Sequence, residues 1–111
     1  MDTVESLRDA IARVFCSWEA LPGPESRFRI VGVADTNHDR FTLTHVDFDG
    51  ERYKSRLLAQ LEIRNRKIWI ITDNTEEGIA AGLVAQGVAK DCIVLGFYSP
   101  KMREMGEFAV A

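Results

Sequence analysis

Residues 67–83, with the sequence KIWIITDNTEEGIAAGL, join the most apolar run of the chain to its clearest helix start. The run 68–71 contains only consecutive isoleucine and tryptophan residues and is too short to form a useful helix. A run of this kind is typical of a strand that is covered on both faces. It therefore predicts a strand at the centre of the core.

A helix is predicted to start near Thr75, directly after this strand. Asp73, Asn74 and Thr75 all have side-chain oxygens that can accept hydrogen bonds from free backbone N–H groups, and Asn74 and Glu77 have the spacing of a capping box. Gly87 followed by Val88 is typical of a helix C-terminus that ends on a left-handed glycine. The helix would present one apolar stripe to the sheet, formed by Ile79, Leu83 and Val84.

The composition predicts a single folded domain over residues 1–111. Aliphatic and aromatic residues make up 46% of the chain and charged residues 28%, as is usual for folded proteins. No apolar run approaches the roughly 18 residues that a membrane span needs. Asp2 and Glu5 precede any apolar stretch, so the start does not resemble a signal peptide. We expect a cytoplasmic protein that has no contact with a membrane.

Motifs for chemistry are missing from the sequence. The two cysteines, Cys16 and Cys92, lie far apart and have no metal-binding spacing, and neither a glycine-rich phosphate loop nor a nucleophile motif is present. The net charge of −3 gives no overall attraction to nucleic acid. We therefore expect no catalytic residues, no metal and no cofactor.

An amphipathic helix is predicted over residues 3 to 20. Its apolar side chains recur at intervals of three and four residues, which places them on one stripe that can dock on a sheet. Asp2 or Thr3 can cap its start, and Pro22 ends it. The stripe consists of Val4, Leu7, Ile11, Val14 and Trp18.

Three further strands precede the central one and are joined to it by short turns. Asp49-Gly50 is a strong hairpin signal, and Asn65-Arg66 marks the next tight turn. A compact apolar run over 92–97, closed by Pro100, predicts one more strand. The predicted fold class is α+β: an antiparallel meander sheet of four or more strands, with the N-terminal helix and a second helix packed on it. The first three strands are residues 28–34, 41–48 and 53–64.

Two polar features could act as sites. Alternation along the third strand places most of its cations on one solvent-facing side, where they could follow phosphates or meet an acidic partner, although a solvated sheet face explains them more simply. His45 and Asp47, two residues apart on one strand, would be neighbours and could form an acid–base pair. The cations of this basic stretch are Arg52, Lys54, Arg56, Arg64, Arg66 and Lys67.

An apolar surface could serve as an interface. If the helices cover only one face of the central strand, a neighbouring molecule has to cover the other. The tail 108–111, FAVA, is expected to pack against the body or against a second subunit. The candidate interface residues are Trp69, Arg103, Phe108 and Val110.

Several segments together resemble the XisI-like family, the fdxN element excision controlling factors of filamentous nitrogen-fixing bacteria. The resemblance implies a small α+β fold with an antiparallel sheet. It also implies an accessory role in programmed DNA rearrangement, beside a site-specific recombinase and a companion of the XisH type, and it supplies no catalytic residue set. The matching segments are 43–50 (LTHVDFDG), 67–70 (KIWI), 75–80 (TEEGIA), 93–97 (IVLGF) and 108–111 (FAVA).

Three functions follow from these observations. The leading hypothesis is a non-enzymatic controlling factor that acts by protein–protein interaction with an XisH-type companion or a recombinase, as a dimer or in a mixed complex. The alternative is a factor that binds DNA directly through the basic stretch Arg52 to Lys67, with a weak or indirect DNA association as a lesser form. The third is a small hydrolase that uses His45 and Asp47.

Overall fold

The computed structural model describes residues 3–111 and consists of one sheet with helices packed on it. Its sheet contains five strands within that range, and it confirms the predicted α+β class. The elements are α1 (Val4–Glu19), β1 (Phe28–Asp35), β2 (Arg40–Phe48), β3 (Tyr53–Arg64), β4 (Lys67–Asp73), α2 (Ile79–Ala85), a 3₁₀ turn (Lys90–Cys92), β5 (Ile93–Leu95) and α3 (Pro100–Glu104).

The strands follow one another across the sheet in chain order. β1 to β4 form the predicted antiparallel meander, and β5 pairs parallel with β4 after the crossover through α2. The last strand is shorter than the predicted run 92–97, because the chain turns after Leu95 and the Tyr98 N–H donates to the Leu95 carbonyl (3.1 Å). Helix α3 was not predicted, although Ser99, which caps it, and Pro100 at its first turn are typical of a helix start.

Helix α1 forms as its spacing predicts. The Thr3 hydroxyl accepts a hydrogen bond from the Ser6 N–H (3.1 Å), while the alternative cap, Asp2, lies outside the described residues. Leu7 and Ile11 are buried against the sheet. With 16 residues α1 is the longest helix, and no helix within residues 3–111 is long and apolar enough to cross a membrane.

The core lies between the sheet and the two helices α1 and α2. Ile68 and Ile70 of β4 are fully buried beneath them, as are Leu43 and Leu61 of the neighbouring strands. Burial of one such side chain stabilises the fold by about 1.5–3 kcal/mol. The central run 68–71 is therefore the middle of the core, although β4 is only the fourth strand across the sheet.

Helix α2 begins at Ile79, four residues later than predicted. The Asp73 carboxylate accepts hydrogen bonds from the Thr75 N–H (3.0 Å), the Thr75 hydroxyl (2.6 Å) and the Ile79 N–H (2.7 Å). Asn74 does not cap the helix, because its side-chain amide donates to the Leu57 carbonyl (3.0 Å). The predicted capping box is therefore wrong, and residues 74–78 form a loop around the Asp73 carboxylate.

Helix α2 ends as predicted. Gly87 adopts φ 96°, and its N–H donates to the Val84 carbonyl (2.9 Å). The Val88 N–H donates to the Leu83 carbonyl (3.1 Å), which completes a Schellman motif, and the Val88 side chain is buried.

Replacing Gly87 by alanine is expected to lower the free energy of unfolding by about 1 kcal/mol, because alanine is strained at this positive φ. An added Cβ would have no heavy atom within 4 Å, so the loss would come from the backbone alone. Urea denaturation monitored by circular dichroism measures it. Gly23→Ala is the control, since its Cβ would meet only the Ser26 hydroxyl at 4.0 Å, and an equal loss in both variants would contradict this account.

Candidate interaction surfaces

A β-bulge at Leu58 divides β3 into two segments whose side chains alternate out of phase. Leu43 pairs with Ala59, whereas the next residue of β2, Thr44, pairs with Leu57. Leu58 is therefore an extra residue in β3, and the face on which each side chain lies changes at this point. If the side chains are assumed to alternate without interruption along β3, those before the bulge are assigned to the wrong face.

The cations before the bulge lie on the helix side of the sheet. Arg56 is opposite His45, which is itself opposite the buried Ile30, and Lys54 is opposite Asp47. Directly paired residues of antiparallel strands share a face. Lys54 and Arg56 thus point to the side of α1 and α2.

The cations after the bulge lie on the opposite side. Arg64 pairs with Lys67, and Glu62 pairs with Trp69, whose neighbours Ile68 and Ile70 face the helices. The prediction that most of these cations share one solvent-facing side is therefore wrong, because the bulge places Lys54 and Arg56 on one side of the sheet and Arg64 and Lys67 on the other.

Several of the six cations have partners within the chain. Lys54 forms an ion pair with Asp49 (3.5 Å), Arg64 with Glu62 (3.3 Å), and the Lys67 amino group donates to the Ala111 carbonyl.

Arg52 and Arg66 lie in turns: the Arg52 N–H donates to Asp49 (2.9 Å), and Arg66 adopts φ 60°. The backbone N–H groups of Arg52 and Glu51 lower the pKa of Asp49. Contact of these cations with a partner stays a prediction.

His45 and Asp47 lie on the same face of β2, as predicted; this face is the helix side, where they line a shallow cleft. The His45 ring stacks on Phe28 with 4.8 Å between the ring centroids. The cleft has a volume of about 170 Å³ and is completed by Lys54, Ser55 and Arg56. Within residues 3–111 no group of histidine, cysteine or acidic side chains is placed to hold a metal ion. The hydrolase role of this pair stays a prediction.

Three of the four candidate interface residues meet at one corner of the sheet. The Arg64 and Arg103 guanidinium groups lie against the Trp69 ring, 4.2 and 5.4 Å from its centroid. Arg103 also donates to the carbonyls of Tyr98 (3.0 Å) and Val110. The Trp69 Nε1–H is buried and has no acceptor among the described residues.

The tail 108–111 packs against the body, which is one of its two predicted positions. The Ala109 N–H donates to the Ile93 carbonyl (2.9 Å), and Ala109 forms an isolated parallel bridge with Val94. Phe108, the fourth candidate interface residue, is partly buried against the core rather than placed beside Trp69. The tail thus covers the outer edge of β5.

The sheet face opposite α1 and α2 lacks a covering helix along β1, β2 and β3 within residues 3–111. Phe48 and Tyr53, whose ring centroids are 4.9 Å apart, remain 39% and 70% exposed. At the other end, Val94 is fully buried beside Trp69 and Arg103. We call the uncovered part the open face; its apolar residues are Val31, Val33, Val46, Phe48, Tyr53 and Leu57.

A groove of about 600 Å³ lies on the helix side, between α1 and the loop 74–78. Trp18, Leu21 and Leu58 form its apolar part, and Glu76 and Glu77 lie on the loop. This groove was not predicted, because these glutamates were expected in the first turn of a helix. The signal was present in Asp73-Asn-Thr, since an aspartate often accepts from the backbone two residues later.

Asp73→Ala is expected to lower the free energy of unfolding by about 1–3 kcal/mol, because it leaves the N–H groups of Thr75 and Ile79 without their acceptor. Asp73→Asn keeps one acceptor oxygen and is expected to lose less. Denaturation curves measure both changes. Asp9→Ala, an exposed site in α1, is the control. Equal stability of wild type and Asp73→Ala would show that the carboxylate does not hold this loop.

The model of the XisI protein family matches residues 1–110. The crystal structure of an XisI-like protein from Anabaena variabilis ATCC 29413 covers 98% of this chain and 100% of its own, with 21% identity and a TM-score of 0.84. The fdxN element excision controlling factor XisI from the same organism covers 96% and 97%, with 26% identity and a TM-score of 0.76. A search of curated proteins finds no match.

Proposed function

Because the chain belongs to the XisI protein family, we propose that it is a controlling factor in the excision of a DNA element and acts by binding another protein. One of the similar proteins of known structure is named as such a factor for the fdxN element. We propose as partner a companion of the XisH type, which the chain occupies or orients. The proposed action is non-enzymatic.

The open face is the observation that carries this proposal. Helices α1 and α2 bury one side of the sheet, whereas Val31, Val46 and Leu57 on the other side are only half-buried. A contiguous apolar surface of this kind is typical of a protein–protein interface. The sheet therefore offers a partner a preformed, rigid surface.

The surroundings of the open face also favour a protein partner. Its apolar centre is bordered by charged side chains, among them Arg64 and Glu62, as the core of an interface is bordered by a polar rim. The corner with Trp69 and Arg103 adjoins it and contains a buried indole N–H that has no acceptor within residues 3–111.

The cleft at His45 and Asp47 supports a catalytic function much less well than the open face supports a protein partner. His45 is stacked on Phe28, and its neighbours Lys54 and Arg56 are cations, so the cleft has one carboxylate, that of Asp47, and lacks a third catalytic partner among the described residues. A hydrolytic site usually needs a nucleophile and a base that is oriented by a third group. The proposal for this chain therefore contains no catalytic step.

The test is co-expression with an XisH-type companion, followed by light scattering on the eluted complex. We expect a stable mixed complex with wild type. Val46→Glu, which places a carboxylate on the open face opposite Arg29, is expected to weaken the complex at least about tenfold, since the contact would have to strip water from both charges. His45→Glu introduces a carboxylate on the adjacent residue, on the opposite side of the sheet, and is the matched control.

Two results would contradict the proposal. The first is that no mixed complex forms with the companion. The second is direct DNA binding by the chain alone that falls steeply with salt and is lost in Arg56→Glu with Arg64→Glu, because phosphate contacts release counterions. Equal loss of the complex in Val46→Glu and His45→Glu would reject the open face as the contact.

A further inference from the structure

Strand β1 is an edge strand whose outer side is unpaired within residues 3–111. It has eight residues, FRIVGVAD, and contains neither proline nor a bulge in its pairing with β2. Such an edge is a template for one more strand unless it is blocked. The opposite edge of the sheet differs, because Ala109 bridges to β5.

The hydrogen-bonding groups of the free edge can be assigned from Gly32. Its N–H donates to the Glu19 carboxylate at the end of α1 (3.2 Å), so it points away from β2. In an antiparallel strand every second residue directs its N–H and C=O to the same side. Ile30 and Ala34 therefore also present their backbone groups to the free edge.

We propose that β1 pairs antiparallel with β1 of a second copy of this chain, about a two-fold axis through Gly32. The sequence around this axis is self-complementary. Arg29 would lie opposite Asp35 of the second copy, Val31 opposite Val33, and Ile30 opposite Ala34. The symmetry forms each of these pairs twice.

Charge selects this register. With the axis moved by one residue, Arg29 would lie opposite Val33 or Asn37 rather than opposite an acid. Arg29 is exposed and forms no ion pair within residues 3–111, so it is available to a second copy. Hydrogen bonding from His38 lowers the pKa of Asp35, so that carboxylate is negative at neutral pH. Opposite charges directly across a strand pair stabilise it, whereas like charges destabilise it.

The flank of α1 borders the free edge and opposes the pairing through Glu19. Arg8, Ala12 and Glu19 lie on the same side of the helix, and the exposed Ala12 has a short side chain there. A Cβ at position 32 would lie 3.1 Å from the Phe15 ring, so glycine allows α1 to lie this close to β1. Pairing replaces the Glu19 acceptor of Gly32 with the carbonyl of the second copy. Glu19 therefore limits the strength of the dimer.

The first experiment is light scattering on the purified chain over a concentration series. Wild type is expected to reach twice the 12.5 kDa of one chain. Arg29→Glu is expected to weaken the dimer about tenfold to a hundredfold, because it turns two attractions into repulsions. Arg27→Glu changes the charge equally, two residues away, and is expected to leave the dimer intact. A wild type that stays monomeric, or equal loss in both variants, would overturn the proposal.

A second experiment separates pairing from folding. Arg29→Glu and Asp35→Lys are each expected to be monomeric, since each would place like charges opposite one another. Their mixture is expected to form a heterodimer, because the two substituted side chains then face each other with opposite charges, and the unchanged Asp35 of the first variant faces the unchanged Arg29 of the second. Circular dichroism checks that each variant is folded. A mixture that stays monomeric while both variants are folded would overturn the pairing.

A third experiment tests the edge itself. Ala34→Pro removes a backbone N–H that faces the free edge and is tolerated on edge strands, so we expect a folded monomer. Glu19→Gln removes the charge that competes for Gly32 and is expected to strengthen the dimer. An Ala34→Pro variant that dimerises like wild type would exclude this edge. None of these variants changes the apolar residues of the open face.

Discussion

The burial of one sheet face is the constraint on which the rest of the structure depends. Ile68 and Ile70 of β4 are fully buried beneath α1 and α2, so Trp69 between them must face the other side. Two helices of 16 and seven residues cannot cover both faces of a five-stranded sheet. Within residues 3–111 the opposite face is covered only at the corner around Trp69, by Arg64, by Arg103 of α3 and by the segment after α3. The open face is the direct result.

The sequence predicted the elements that depend on local periodicity and on single strong turn residues. The three-and-four spacing from Val4 to Trp18 located α1, Asp49-Gly50 located the β2–β3 hairpin, and Gly87 located the end of α2. It did not predict the bulge at Leu58, because no glycine or proline marks it and the neighbouring residues alternate plausibly in either register. Because the bulge reverses the faces, this one omission moved Lys54 and Arg56 to the wrong side of the sheet.

The loop 74–78 beside the groove was less predictable than the fold. Like the bulge, it depends on tertiary contacts that the local sequence does not reveal. Asp73 and Asn74 both have short side chains that can accept from a backbone N–H, and their local preferences differ by little. Tertiary structure decides between them, since the Asn74 side chain is turned to the Leu57 carbonyl, whereas the Asp73 and Thr75 side chains accept from the N–H groups of Ile79 and Gly78. In contrast, the tail 108–111 was predicted to pack because its apolar side chains are stabilised by burial. Burial favours packing wherever the contact lies, so the contact site did not have to be known.

The two edges of the sheet are protected in different ways, and this difference bears on assembly. The edge of β5 is closed by backbone contacts from Ala109, which a second chain would have to displace. Within residues 3–111 the outer edge of β1 is protected only by Glu19, which accepts a hydrogen bond from the Gly32 N–H. The exposed Glu19 carboxylate can rotate away at little cost. Pairing at β1 would join two open faces into one continuous surface. A companion that binds one open face away from the axis would meet two equivalent sites, whereas one that binds across the axis would meet a single site. The stoichiometry of the mixed complex would therefore report where on the joined sheet the companion lies.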